Sequence, residues 1–279
     1  MTVQIPLSGA ALAADREGGG GTHEIAPDLA YLRTVLVNVI FIGRPDHVGW
    51  VLVDTGIVGS AGAIRAAADA RFGTDTPPVA IIQTHGHFDH VGTLETLSRE
   101  WDVPVYAHQL EAPYLTGQAS YPTPDTEADG GVMPMLAPLF PRTPVDVSDR
   151  LRILPEGGSV PHLPDWKWIH VPGHTPGQIA LWRESDRSLI AADAFITTGQ
   201  ESAYEVMTQE PEMHGPPRYF TPDWPTAAES VRRLAALEPE LVITGHGRAA
   251  AGEEMRKALH QLAREFEQIA PPEYLREGH

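Results

Sequence analysis

Apolar and polar residues alternate along this chain in short, separated blocks. Two runs rich in β-branched and aromatic residues, Tyr31–Phe41 and Gly49–Val53, predict strands. Asp54-Thr55-Gly56 closes the second with a turn, and Gly62–Arg71 then reads as a helix. Val79–Gln83 is a continuous apolar run, the pattern of a strand buried on both faces. Val91–Trp101 predicts a helix and Val103–Ala107 a further strand. From about Gln109 to Asp165 prolines replace periodicity, around an apolar island at Val132–Phe140, which reads as an insertion able to cover a substrate. Strands are predicted again at Trp166–Val171, Gln178–Trp182 and Ser188–Ala192, before a second irregular stretch, Glu201–Trp224. Thr226–Ala236 reads as a helix near a cap at Asp223 or Thr226, Leu241–Thr244 as a strand and Glu253–Ile269 as a closing amphipathic helix. The alternation predicts a layered α/β fold. Residues 1–22 are expected to form a flexible arm, and 23–279 a single domain with a 109–165 insertion.

Composition narrows the chemistry. With 42% hydrophobic and 20% charged residues the chain has an ordinary globular balance. A net charge of −17 disfavours a polyanionic partner such as nucleic acid. No apolar run is long enough to span a bilayer, and Ile5–Ala14 lacks the basic flank of a signal peptide, so a cytoplasmic location is the default expectation. There is no cysteine, which removes disulfides, thiolate ligands and thiol nucleophiles together. Any metal must then be held by His, Asp or Glu, and there are 13 histidines.

Thr84-His85-Gly86-His87-Phe88-Asp89-His90 follows directly on the Val79–Gln83 strand. Neither a strand nor a helix can point so many donors one way, but a tight loop can, and Gly86 places no side chain in its path. Imidazole and carboxylate suit Zn²⁺, with Fe²⁺ or Mn²⁺ as alternatives. Three weaker signals accompany the cluster: His174 in Val171-Pro172-Gly173-His174, Asp193 after Ser188–Ala192, and His246 after Leu241–Thr244. Alone, each is an ordinary turn residue. Together, all stand just beyond the C-terminal ends of short strands, which in an α/β sheet share one edge.

His85-Gly86-His87-Phe88-Asp89-His90 with His174, Asp193 and His246 resembles the metallo-β-lactamase superfamily over about Tyr31 to Ile269. The resemblance implies an αβ/βα four-layer sandwich of two mixed β-sheets. It also implies two divalent metal ions, one on His85, His87 and His174, the other on Asp89, His90 and His246, bridged by Asp193. Asp54 is implied to orient the His-rich loop. The reaction expected is attack of a metal-bridging hydroxide on an ester, lactone, thioester or amide carbonyl of a small molecule. Asp193 and Asp89 would be the catalytic carboxylates, Asp89 passing a proton to the leaving group. Two alternatives remain at this stage: a mononuclear iron sulfur dioxygenase of the same fold, and a non-catalytic metal-binding sensor.

Other residues carry weaker expectations. His170 reads as a packed strand residue and His108 as a possible support of the site. His23, His260 and His279 read as solvated. His214 and Tyr204 read first as surface loop residues, with an oxyanion-stabilising role as the alternative. Met133, Met135, Leu136, Leu139 and Phe140 read as a lid, as core beneath the loop, or as a homodimer contact. Between Phe195 and Pro225 the only basic residue is Arg218, against five acids, which favours a neutral or weakly charged ester, lactone or thioester over a phosphodiester; no membrane partner is expected. With about 30 residues after His246, the C-terminal helical domain of the glyoxalase II branch is not expected.

Overall fold

The computed structural model describes residues 5–128, 145–199 and 210–276. These fall into two compact units. One is drawn from residues 14–121 and 145–168, the other from residues 5–13, 122–128, 169–199 and 210–276.

After β1 (Ile5–Pro6), the first unit builds an eight-stranded sheet in chain order: β2 (Arg16–Glu17), β3 (Thr22–Ala26), β4 (Leu29–Thr34), β5 (Val37–Ile42), β6 (Val51–Val53), β7 (Ala80–Ile82), β8 (Val105–Ala107) and β9 (Leu151–Ile153). Pairing is antiparallel from β2 to β6 and parallel from β6 to β9. The switch follows from the connections: hairpins join the early strands, whereas α1 (Ala61–Phe72) and α2 (Leu94–Glu100) carry the crossovers. Tyr31–Phe41, predicted as one strand, is a hairpin. The chain reverses at Val35, whose φ of 67° is unusual for a β-branched residue and follows no Gly or Asn signal. The core of this unit packs Phe41, Trp50 and Phe72, with Trp50 stacked on Phe72 at 4.3 Å, against Ile64, Leu94 and Leu97. The predicted insertion contributes α3 (Ala112–Leu115), β9, and a pairing of β10 (Ser159–Val160) with β11 (Leu163–His170). Its Val132–Phe140 island lies outside the described residues.

In the second unit, β12 (Ile179–Arg183), β13 (Ser188–Ala192), β16 (Leu241–Thr244) and β17 (Ala250–Ala251) are adjacent in that order. The β13–β16 pair is parallel and its neighbours antiparallel. A smaller antiparallel sheet runs β1, β15 (Pro211–His214), β14 (Ile196–Thr198). Of residues 1–22, expected as an arm, the described ones contribute β1 and β2. Two helices complete the unit. α4 (Trp224–Ala235) is capped by Asp223, which accepts from the Thr226 amide at 3.1 Å. α5 (Gly252–Ile269) buries Met255, Leu259, Leu262 and Phe266 at helical spacing and meets α4 at Trp224 and Phe266. Among the described residues no helix is long and apolar enough to cross a membrane.

Candidate metal centre

In the first unit, β7 ends at Ile82 and the chain folds into a tight loop. The His90 and Val91 amides both donate to the His87 carbonyl, at 2.9 and 3.1 Å. Asp54, at the end of the parallel neighbour β6, holds this loop from below. Its backbone is left-handed, at φ 60°, and its carboxylate is buried. Oδ1 accepts from the Thr84 amide at 2.8 Å and from Gln83 Nε2 at 2.9 Å. Oδ2 accepts from Thr84 Oγ1 at 2.7 Å and His90 Nδ1 at 2.8 Å. Gln83 Nε2 also reaches the carbonyls of His85 and His90, at 2.9 and 3.1 Å. One carboxylate therefore orients three side chains and the loop backbone.

This network fixes which imidazole nitrogen carries the proton. A carboxylate can only accept, so the Thr84 hydroxyl hydrogen goes to Asp54 and the Thr84 oxygen accepts from His85 Nδ1, 3.0 Å away. His90 Nδ1 likewise donates to Asp54. In both rings Nε2 is then the basic nitrogen, the arrangement of metal-ligating histidines. His85, His87 and His90 are buried with their rings in contact, at 4.9 and 4.1 Å between centroids, and Asp89 Oδ2 lies 3.9 Å from His90 Nε2.

In the second unit His174 follows β11 through Gly173, whose φ of 128° favours glycine; a Cβ there would stand 2.4 Å from the Ala227 nitrogen. The same proton logic applies. Thr221 Oγ1 donates to the Pro217 carbonyl at 2.8 Å, so its oxygen accepts from His174 Nδ1 at 2.9 Å. Asp193 leaves β13 at a register shift, where Ala192 is left-handed at φ 50°. His246 leaves β16 before Gly247, whose φ is 89°. Asp193 Oδ2 lies 3.2 Å from His246 Nε2 and 3.5 Å from His174 Nε2. In the second contact a basic nitrogen faces a carboxylate oxygen, acceptor against acceptor. A cation makes such an arrangement favourable, so the donors fit a metal.

The strand-end expectation needs one correction. β7 belongs to one unit's sheet and β13 and β16 to the other's, so no single sheet edge supplies all the donors. Only the parallel pair β13–β16 obeys it, bringing Asp193 and His246 together. Two other histidines also differ from expectation. His214 is a buried strand residue bonded to the Gly215 carbonyl, not a surface loop residue. His23, expected to be solvated, pairs with Asp15 at 2.7 Å and stacks on Tyr31, because β3 draws it against β4. His108 caps the turn at Gln109–Glu111, His170 contacts the Pro176 carbonyl, and His260 pairs with Glu238 at the surface. Tyr204, Met133, Met135, Leu136, Leu139, Phe140 and His279 lie outside the described residues.

Thr221, Glu111 and Tyr121 escape the sequence reading. Each acts on a loop 25 or more positions away, and no local motif marks it.

The family model described as "Metallo-beta-lactamase superfamily" matches residues 32–246. The chain belongs to the metallo-β-lactamase superfamily. With that membership goes the enzyme class, metallo-hydrolase. A Bacillus subtilis (strain 168) protein, "Probable metallo-hydrolase YflN", is 46% identical over 266 residues, 95% of this chain and 98% of that protein. A β-lactamase domain protein from Burkholderia ambifaria shares the fold with a TM-score of 0.63 at 22% identity, over 95% of this chain and 80% of that one. The protein TTHA1623, solved in a di-iron-bound form, matches with a TM-score of 0.52 at 26% identity, over 84% of this chain and 96% of that one. The mixed sheets and flanking helices are therefore those of the metallo-β-lactamase fold.

Proposed function

We propose that the chain is a dinuclear metal-dependent hydrolase of small-molecule acyl compounds: esters, lactones, thioesters or amides. One ion is assigned to His85, His87 and His174, the other to Asp89, His90 and His246, with Asp193 shared. Zinc is the first assignment and iron or manganese the alternatives. The observation that carries this reading is the set of three imidazoles whose Nδ1–H is committed to an oxygen, together with Asp193 Oδ2 set against His174 Nε2 at 3.5 Å. When bound, such ions supply a water acidic enough to ionise near neutral pH and polarise the acyl carbonyl.

The chain's own groups do the rest. Asp54, Thr84 and Thr221 hold the imidazoles in the tautomer that binds cations. Asp193 offers one oxygen to two histidines. Asp89, whose side chain is 15% exposed, is assigned the passing of a proton from the attacking water to the departing alcohol, thiol or amine. The net charge of −17 supports a neutral small molecule over nucleic acid or an anionic membrane surface.

Metal analysis of the purified protein combined with a chromogenic panel of ester, lactone, thioester, β-lactam and phosphoester substrates tests the reading. Two ions per chain and turnover of an acyl substrate are expected, with Asp193→Ala losing both metal and turnover. One iron per chain with oxygen consumption would replace the hydrolase by an iron dioxygenase. Two ions with no turnover across the panel would make the chain a binding module.

A further inference from the structure

Gly86 stands between two of the assigned ligands, His85 and His87, and its surroundings are unusual for a loop backbone. Its amide donates to Tyr121 Oη at 2.9 Å and to Glu111 Oε2 at 3.0 Å. The Tyr121 hydroxyl in turn donates to that same Glu111 oxygen. Glu111 is fully buried, a costly position for a carboxylate that only close donors make tenable. The Tyr121 ring also packs on the His87 ring, at 4.5 Å between centroids, and is stacked on its other contact, Tyr114, at 3.9 Å. A Cβ on residue 86 would lie 2.9 Å from the Tyr121 hydroxyl and 3.3 Å from the ring carbon Cε2. Gly86 is therefore glycine because Tyr121 fills the space a side chain would need.

We infer that Glu111 and Tyr121 are positioning residues that clamp the loop at Gly86, fix the His87 ring, and set the affinity of the metal held by His85 and His87. The inference rests on the assignment of those histidines as ligands. A closed ring of three hydrogen bonds around one amide leaves the peptide between the ligands a single orientation. Holding the ligands in place before the ion arrives lowers the ordering that binding must otherwise bring about. The buried Glu111 charge acts in the same direction, since a carboxylate screened from water favours a cation nearby.

The test is Zn²⁺ affinity, read by competition with a chromogenic chelator, alongside the Co²⁺ absorption spectrum and the melting temperature of the metal-free protein. Tyr121→Phe keeps the ring and removes only the hydroxyl; Glu111→Gln keeps the shape and removes the charge. Each is expected to weaken Zn²⁺ binding by about tenfold or more, the range found when a partner of a metal ligand is lost, and to shift the Co²⁺ bands. A double-mutant cycle adds a sharper reading. Gly86→Ala should weaken binding on its own, yet cost little more once Tyr121→Phe has removed the hydroxyl it strikes. Affinities within twofold of wild type, with only the metal-free melting temperature lowered, would reduce the clamp to ordinary packing and overturn the inference. Additive losses in the cycle would overturn the claim that Tyr121 dictates glycine at 86. Should Glu111→Gln fail to fold, Tyr121→Phe and the cycle decide alone. A wild-type protein that binds no Zn²⁺ at all would overturn the assignment of the ligands instead.

Discussion

Thr221 does for His174 what Thr84 does for His85: each hydroxyl donates to a carbonyl or carboxylate oxygen and accepts from the Nδ1–H of an imidazole. Thr221→Val keeps the volume and removes the acceptor, stranding a buried N–H at a cost of about 1–3 kcal/mol. Zn²⁺ affinity is expected to fall about 10–100-fold, while Thr221→Ser stays near wild type. Chelator competition on the two variants measures this, and equal affinities would show that the hydroxyl does not govern the ring. At this scale the donors themselves were legible and their supports were not. His85, His87, Asp89 and His90 crowd into six positions, a density with few explanations. Thr221 lies 47 positions from His174 and Tyr121 lies 35 from Gly86, separations over which no local pattern survives. Asp54 was the exception, readable only through the resemblance to a known motif.

The short apolar strands that end at the donors were visible as elements, because burial on both faces writes a continuous hydrophobic run. β13 and β16 stand where their runs predicted, and β7 lies within its run. What periodicity could not convey was how strands sort into sheets, since that depends on pairings between distant segments. It also missed the β4–β5 reversal at Val35, a turn made without turn residues. The turn at Gly173 packs closely against α4. Gly173→Ala would put a methyl group 2.4 Å from the Ala227 nitrogen on a backbone at φ 128°. Overpacking and strain together should cost about 2 kcal/mol or more. Chemical denaturation is expected to show a lower midpoint with an unchanged slope; a midpoint equal to wild type would mean that the turn and helix yield freely.

For the molecule as a whole, a net charge of −17 opposes compaction, and the strand ends that carry the donors place further polar groups inside. Cations bound at the proposed site would offset both effects, since they would neutralise the charge of Asp89 and Asp193 and favour the buried carboxylate. A ligand that binds only the folded chain adds about 2.7 kcal/mol per site when free at 100 times its dissociation constant. Two sites would add about 5 kcal/mol, and for a chain of this size that corresponds to about 10 °C or more in melting temperature. Stripping the metal with a chelator should lower the melting temperature by that amount, and stoichiometric Zn²⁺ should restore it. Because imidazole binds a cation only when neutral, the gain should fade as the pH falls below the ordinary imidazole range near about 6.5. Calorimetric scans of metal-loaded and metal-free protein between pH 5 and 8, on the order of that range, check both statements. A melting temperature indifferent to the chelator would mean that the buried histidines are held by the protein alone. A gain that persisted undiminished at low pH would point to a cation held by carboxylates, without the imidazoles.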